Sequence, residues 1–148
     1  MSEPLRFVFT LACSVEHAFG TWTSRTSLWW PPSHTTTGGR GFAVHFEPFV
    51  GGRIFERTPE GLEIDWGELT AWEPPHHLAY LWHINTTRSR ATDVAIRFVA
   101  QADGATRVEI VHSGWERLGA SGAGWRDANR GGWSGLLPHF IAACEGAS

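Results

Sequence analysis

The sequence predicts an α+β fold in which a meandering antiparallel sheet is closed by a long C-terminal helix. Three observations carry this. Apolar residues alternate with period two through the middle of the chain, as Phe42, Val44 and Phe46 do against Ala43, His45 and Glu47. Turn residues at Gly51-Gly52, Pro59-Glu60-Gly61, Pro74-Pro75 and Asp103-Gly104 break these runs at short intervals, so successive strands are neighbours and the sheet is antiparallel. Beyond His112 the period lengthens, and Trp125, Trp133, Leu136, Leu137, Phe140 and Cys144 fall near one helical stripe.

Leu5 to Ala12 is rich in Phe, Val, Thr and Leu and reads as the first strand. Ser14 is placed to cap a helix, with Glu16 in its first turn where the helix dipole favours an acid. Val15, Ala18, Phe19 and Trp22 then share one face. A second short helix is expected from Ser24 to Trp30, ended by Pro31-Pro32. After the strand at Phe42–Phe46, further strands are expected at 53–57, 62–72, 77–84, 92–101 and 106–113. The Gly51-Gly52 pair is read as a strand-to-strand turn. A phosphate cradle would need a helix start behind it, whereas Arg53-Ile54-Phe55-Glu56-Arg57 has strand character. Ala102-Asp103-Gly104 is expected to join the last two strands as a hairpin. Gly131, Gly132 and Gly135 each disfavour the final helix by about 1 kcal/mol and an interior Pro138 by about 3, so packing must hold it, with a kink expected near Pro138.

The chain's 148 residues fit a single domain, 1–148, able to bury about two-thirds of its unfolded surface. The net charge is −3, and all twelve basic residues are arginines scattered without a run. No basic stripe exists for nucleic acid or an anionic membrane surface. The first residues hold an early acid and only a short, broken apolar run, so a cytoplasmic and, from the glycine- and alanine-rich, lysine-free composition, bacterial protein is expected. Cys13 and Cys144 are read as two thiols rather than a disulfide. Eight histidines show no close-paired ligand spacing, so no metal and no cofactor is expected.

Strand, two short helices, six meandering strands and a long last helix is the order of the helix-grip fold, START/Bet v 1-like. The segments "FEPFVGGRIFE", "GELTAWEPPHHLAYLW", "ATDVAIRF", "TRVEIVHSGWERLG" and "GWSGLL" resemble the family similar to the C-terminal domain of the activator of the Hsp90 ATPase (AHSA1-like). That family lies within the START-like (SRPBCC) superfamily of polyketide cyclases, dehydrases and lipid-transport proteins. The resemblance spans nearly the whole chain. It implies a curved sheet wrapped around the last helix, with a cavity between them for a hydrophobic or aromatic small molecule. It transfers no catalytic residue, and the glycine-rich last helix departs from the pattern.

Nine tryptophans are unusually many for this length. An aromatic can line a pocket, but any single one more often fills the core, since it buries about 150–250 Å². Trp66, Trp115 and Trp133 are the candidates for the pocket wall, with Phe140 one turn pair beyond Trp133 on the same helical face. Strand parity puts Glu68 with Ile64, Trp66 and Trp72, and His112 with Val108 and Ile110. Both would then face inward as acid, base or hydrogen-bonding groups. The competing reading pairs Glu68 with an arginine and bonds His112 within the core. Glu56 beside Ile54 and His83 in line with Leu81 are candidates on the same reasoning. The expected function is small-molecule binding. Alternatives are a polyketide cyclase/dehydrase-like enzyme moving protons through Glu68 and His112, and an Hsp90-type interaction module, for which no separate N-terminal segment is found.

Overall fold

The computed structural model describes residues 3–146. Strands β1 (Leu5–Leu11), β2 (Ala43–Phe46), β3 (Arg53–Arg57), β4 (Glu63–Glu73), β5 (His77–Trp82), β6 (Thr92–Ala100) and β7 (Thr106–Ser113) form one antiparallel sheet in the order β1-β7-β6-β5-β4-β3-β2. Consecutive strands pair from β2 to β7, and the first strand closes against the last. Helix α1 (Val15–Thr23) follows β1, and helix α2 (Gly122–Gly146) ends the described chain. This is the helix-grip arrangement, a curved open sheet around a long C-terminal helix.

The local reasons are visible. Ser14 Oγ accepts a hydrogen bond from His17 N at 3.1 Å and caps α1, whose Ala18, Phe19 and Trp22 are buried. Along β1 and β7 the buried and half-buried positions alternate with period two. α2 holds the sheet through aromatic contacts, Trp133 to Phe7 at 5.9 Å and Phe140 to Phe9 at 6.3 Å between ring centres. Such burial offsets the helix's poor intrinsic propensity. Pro138 lies within α2, on its exposed side.

The Gly51-Gly52 pair does sit in the β2–β3 turn. Gly51 has a φ of +88°, and Gly52 N donates to Phe49 O at 2.9 Å. The expected second helix is instead two 3₁₀ turns, Thr26–Leu28 and Pro32–His34. Thr26 Oγ1 bonds back to Trp22 O, and Pro31-Pro32 leaves no room for a further α-turn. β5 stops at Trp82 rather than reaching residue 84, because His83 O accepts Thr86 N at 3.0 Å in a turn that takes Asn85 to a φ of +62°.

The largest departure from parity lies in β4. Against β3 the pairing jumps from Ile54↔Gly67 to Phe55↔Asp65, leaving Trp66 as an extra residue, and against β5 it jumps from Leu69↔Tyr80 to Ala71↔Ala79 across Thr70. An inserted residue shifts every later side chain to the opposite face. Trp66 and Leu69 are therefore both buried, although strict alternation would separate them.

Candidate functional site

Between the sheet and α2 lies a cavity of about 320 Å³, at the lower end of the range of about 300–1,000 Å³ usual for small-molecule sites. β5 contributes Tyr80 and Trp82, the β5–β6 connection His83, Asn85 and Arg90, and the segment between α1 and β2 Trp30 and His34. The entry to α2 gives Trp115 and Leu118, and α2 itself gives Trp125, Asn129, Gly132, Trp133 and Leu136. The rim is reached at exposed Ser33, Asn85 and Ala128.

The α2 contribution follows from helical spacing: residues 125, 129, 132 and 136 recur at intervals of four, three and four and share one stripe. Glycine is useful there. His34 Nε2 donates to Gly132 O at 3.1 Å, and a Cβ on Gly135 would stand 3.2 Å from the His34 ring. Gly135 thus admits the Pro32–His34 turn close against the helix.

Behind the wall runs a fixed polar chain. Trp133 Nε1 donates to His112 Nδ1 at 3.0 Å. An indole N–H only donates, so His112 carries its proton on Nε2, which meets Thr92 Oγ1 at 2.6 Å. The Thr92 hydroxyl then points to Trp82 O at 3.4 Å. Burial pushes the His112 pKa down to about 3, because the charged ring would lose its hydration without gaining a carboxylate. A proton added to Nδ1 would also confront the Trp133 N–H. His112 is a neutral strut that orients Trp133 and Thr92.

The other candidates fall into distinct places. Trp115 and Trp133 line the cavity, as does His83, which is 7% exposed and whose Nδ1 is buried without a hydrogen-bond partner. Trp66 stands one layer back, its ring 5.2 Å from Trp30 and 5.8 Å from Trp82, while its Nε1 donates to Thr36 Oγ1 at 3.2 Å. Phe140 is fully buried in the core against Trp22 and Trp29 rather than at the cavity. Glu68 does not line the cavity: the Trp66 bulge turns it away, and its carboxylate meets Arg88 at 3.0 Å. Glu56 is fully buried but holds the loop that precedes β2, accepting from Thr36 N at 2.9 Å and Thr37 Oγ1 at 2.5 Å.

Sequence reasoning missed Trp30, Trp82, Trp125, Arg90 and Gly132. The stripe 125-129-132-136 was the available signal, lying beside the core stripe on the same helix. Cys13 and Cys144 are free thiols, and burial pushes Cys144 up to about 12. Among the described residues no three His, Cys, Asp or Glu side chains converge as a metal set, and no helix is long and apolar enough to cross a membrane.

The family model described as activator of Hsp90 ATPase homolog 1-like protein matches residues 12–145. Among solved structures, the chain is similar to an anthrahydroquino-gamma-pyrone synthase, Txn09, at 39% identity and a TM-score of 0.59, over 82% of this chain and 83% of that one. It is similar to CalC, a self-sacrificing resistance protein from Micromonospora echinospora, at 25% identity and a TM-score of 0.70, over 97% and 94% of the two chains. An HSP90 activator from Plasmodium falciparum shares the fold at 16% identity and a TM-score of 0.53, over 75% and 72%. No curated protein matches the chain in sequence.

Proposed function

The chain belongs to the family of activator of Hsp90 ATPase homolog 1-like proteins, and from that premise we propose that it binds an apolar or aromatic small molecule between the sheet and α2. The observation that carries this reading is the cavity wall, where Trp30, Trp82, Trp115, Trp125 and Trp133 converge on one space of about 320 Å³. Indole faces and edges accept a planar ring in offset or edge-on contact. An apolar space of this size left dry would cost roughly 8 kcal/mol at about 24 cal/mol per Å³, a large part of a domain's stability of about 5–15 kcal/mol. A resident ligand or water offsets that cost. The 39% identity to a synthase of a fused aromatic compound supports the same class of occupant.

That likeness also favours a second reading, an enzyme of the cyclase or dehydrase kind. Glu68 and His112 lend it no support, since one is paired with Arg88 away from the cavity and the other is a neutral strut. The titratable side chains in the wall are His34, Tyr80, His83 and Arg90. Hsp90 interaction ranks last, because the likeness to the activator at 16% identity speaks for the fold alone.

The test is titration with naphthalene-2-carboxamide, followed by tryptophan fluorescence and by the indole N–H signals in NMR. Saturable one-to-one binding should move the signals of Trp115, Trp125 and Trp133. Trp72, which packs on Phe19 at 5.2 Å outside the cavity, should stay put. Absence of saturable binding, or shifts centred on Trp72, would sink the reading. Covalent change in a bound fused aromatic, abolished by His83→Gln, would favour the enzyme.

A further inference from the structure

We propose that the cavity selects aromatic ligands bearing a negative charge, and that Arg90 at its mouth fixes the anion. The inference rests on the ligand-binding reading above and names the class of ligand. Among the described residues no aspartate or glutamate lines the cavity, and Arg90 is the one permanently charged side chain in its wall. Its guanidinium makes a single side-chain hydrogen bond, to Ser121 Oγ at 2.8 Å. It pairs with no carboxylate among the described residues. The acids on the adjoining strands are already engaged: Glu68 meets Arg88, and Asp93 meets Arg117.

The position is held from both sides of the mouth. Arg90 N donates to Thr87 O at 2.9 Å, closing the turn Arg88–Arg90 at the end of the β5–β6 connection. Ser121, on the approach to α2, donates its hydroxyl to Leu118 O at 2.8 Å. A guanidinium offers five N–H donors in a planar fork, so most of Arg90's donor capacity remains for a ligand. The indole wall lowers the local dielectric, which strengthens attraction between the guanidinium and an anion, and Arg gives up hydration more readily than Lys. His83, lining the same space with an unpartnered Nδ1, adds a second uncommitted polar group. The fitting ligand is a flat aromatic acid, either an aryl carboxylate or a hydroxyaromatic with an ionised phenol.

Naphthalene-2-carboxylate and naphthalene-2-carboxamide have nearly the same shape and differ in charge. Titrated by tryptophan fluorescence, the carboxylate should bind the wild-type protein about ten- to a hundredfold more tightly, the worth of a hydrogen bond to a charged group. Arg90→Gln should bring the two affinities together, and Arg90→Lys should restore part of the preference. Equal wild-type affinities, or a preference that survives in Arg90→Gln, would overturn the assignment while leaving the binding reading intact. Binding of neither probe would overturn both. Equal wild-type affinities would refute the charge preference even if Arg90→Gln folds poorly, and the weaker preference expected of Arg90→Lys then tests the role of Arg90.

Discussion

Gly132→Leu separates the cavity from the fold. Gly132 lines the cavity on α2, it has an ordinary helical backbone, and a Cβ built on it meets nothing within 4 Å. Its carbonyl, which accepts His34 Nε2, is kept in any substitution. Replacing glycine by leucine inside a helix contributes about 1 kcal/mol through propensity alone. Burying even part of the leucine side chain against the indoles adds to that, since full burial is worth about 1.5–3 kcal/mol. A net gain of about 1–2 kcal/mol corresponds to a rise in Tm of roughly 2–8 °C for a domain of this size. The same side chain occupies the space where a ligand would lie, so affinity for naphthalene-2-carboxamide should fall at least about tenfold, or about 1.4 kcal/mol. Calorimetry and fluorescence titration read the two effects on one sample. A variant as stable as expected that binds with unchanged affinity would refute the placement of the ligand, and a lowered Tm would refute the claim that the space is open.

The native His112 pKa of about 3 lies below the ordinary 6.5, so the unfolded chain binds the extra proton first. Stability should therefore be full above pH 6.5 and fall as pH drops toward 3, by about 2 kcal/mol between pH 7 and pH 5. Urea unfolding at the two values, with His112→Gln subtracting the other groups, checks this; equal pH dependence in both proteins would contradict it. Gly52→Val should destabilise by at least about 1–3 kcal/mol, because a Cβ there would stand 2.4 Å from Glu47 O and 2.8 Å from Phe49 O. Its residual folded fraction should still bind the probe, and a normal Tm with lost affinity would count against a purely conformational glycine. Glu56→Ala should cost about 1–3 kcal/mol by removing the acceptor of Thr36 N and Thr37 Oγ1, with Glu56→Gln recovering part of it in thermal unfolding.

The order of elements was legible because periodicity is a local property. Alternation at Phe42–Phe46 and the stripe from Trp133 to Cys144 follow from where side chains point on a strand or a helix, and the turns follow from where glycine and proline fall. Those signals determined an antiparallel meander and a gripping helix, while the family was legible only as a resemblance carried by segments such as "GELTAWEPPHHLAYLW". Trp115, Trp133 and His83, candidates from the sequence, line the cavity.

Tertiary structure decided which side chains face that cavity. Glu68 was expected beside Trp66, but register with β3 inserts Trp66 as an extra residue and sends Glu68 out to Arg88. A bulge belongs to two paired strands, and no single strand's pattern announces it. His112 was placed inward by parity, yet its chemistry depends on Trp133 and Thr92, 21 and 20 residues away in the chain. Arg90 looked like one scattered charge among twelve. Only the approach of the β5–β6 connection to the start of α2 shows that it stands at the mouth of an aromatic cavity with, among the described residues, no carboxylate paired to it. The sequence alone determined the local geometry of each element, because backbone sterics and side-chain period act over a few residues. Which side chains meet at the cavity was decided by packing between elements, because burial and charge pairing depend on neighbours that the chain brings together only on folding.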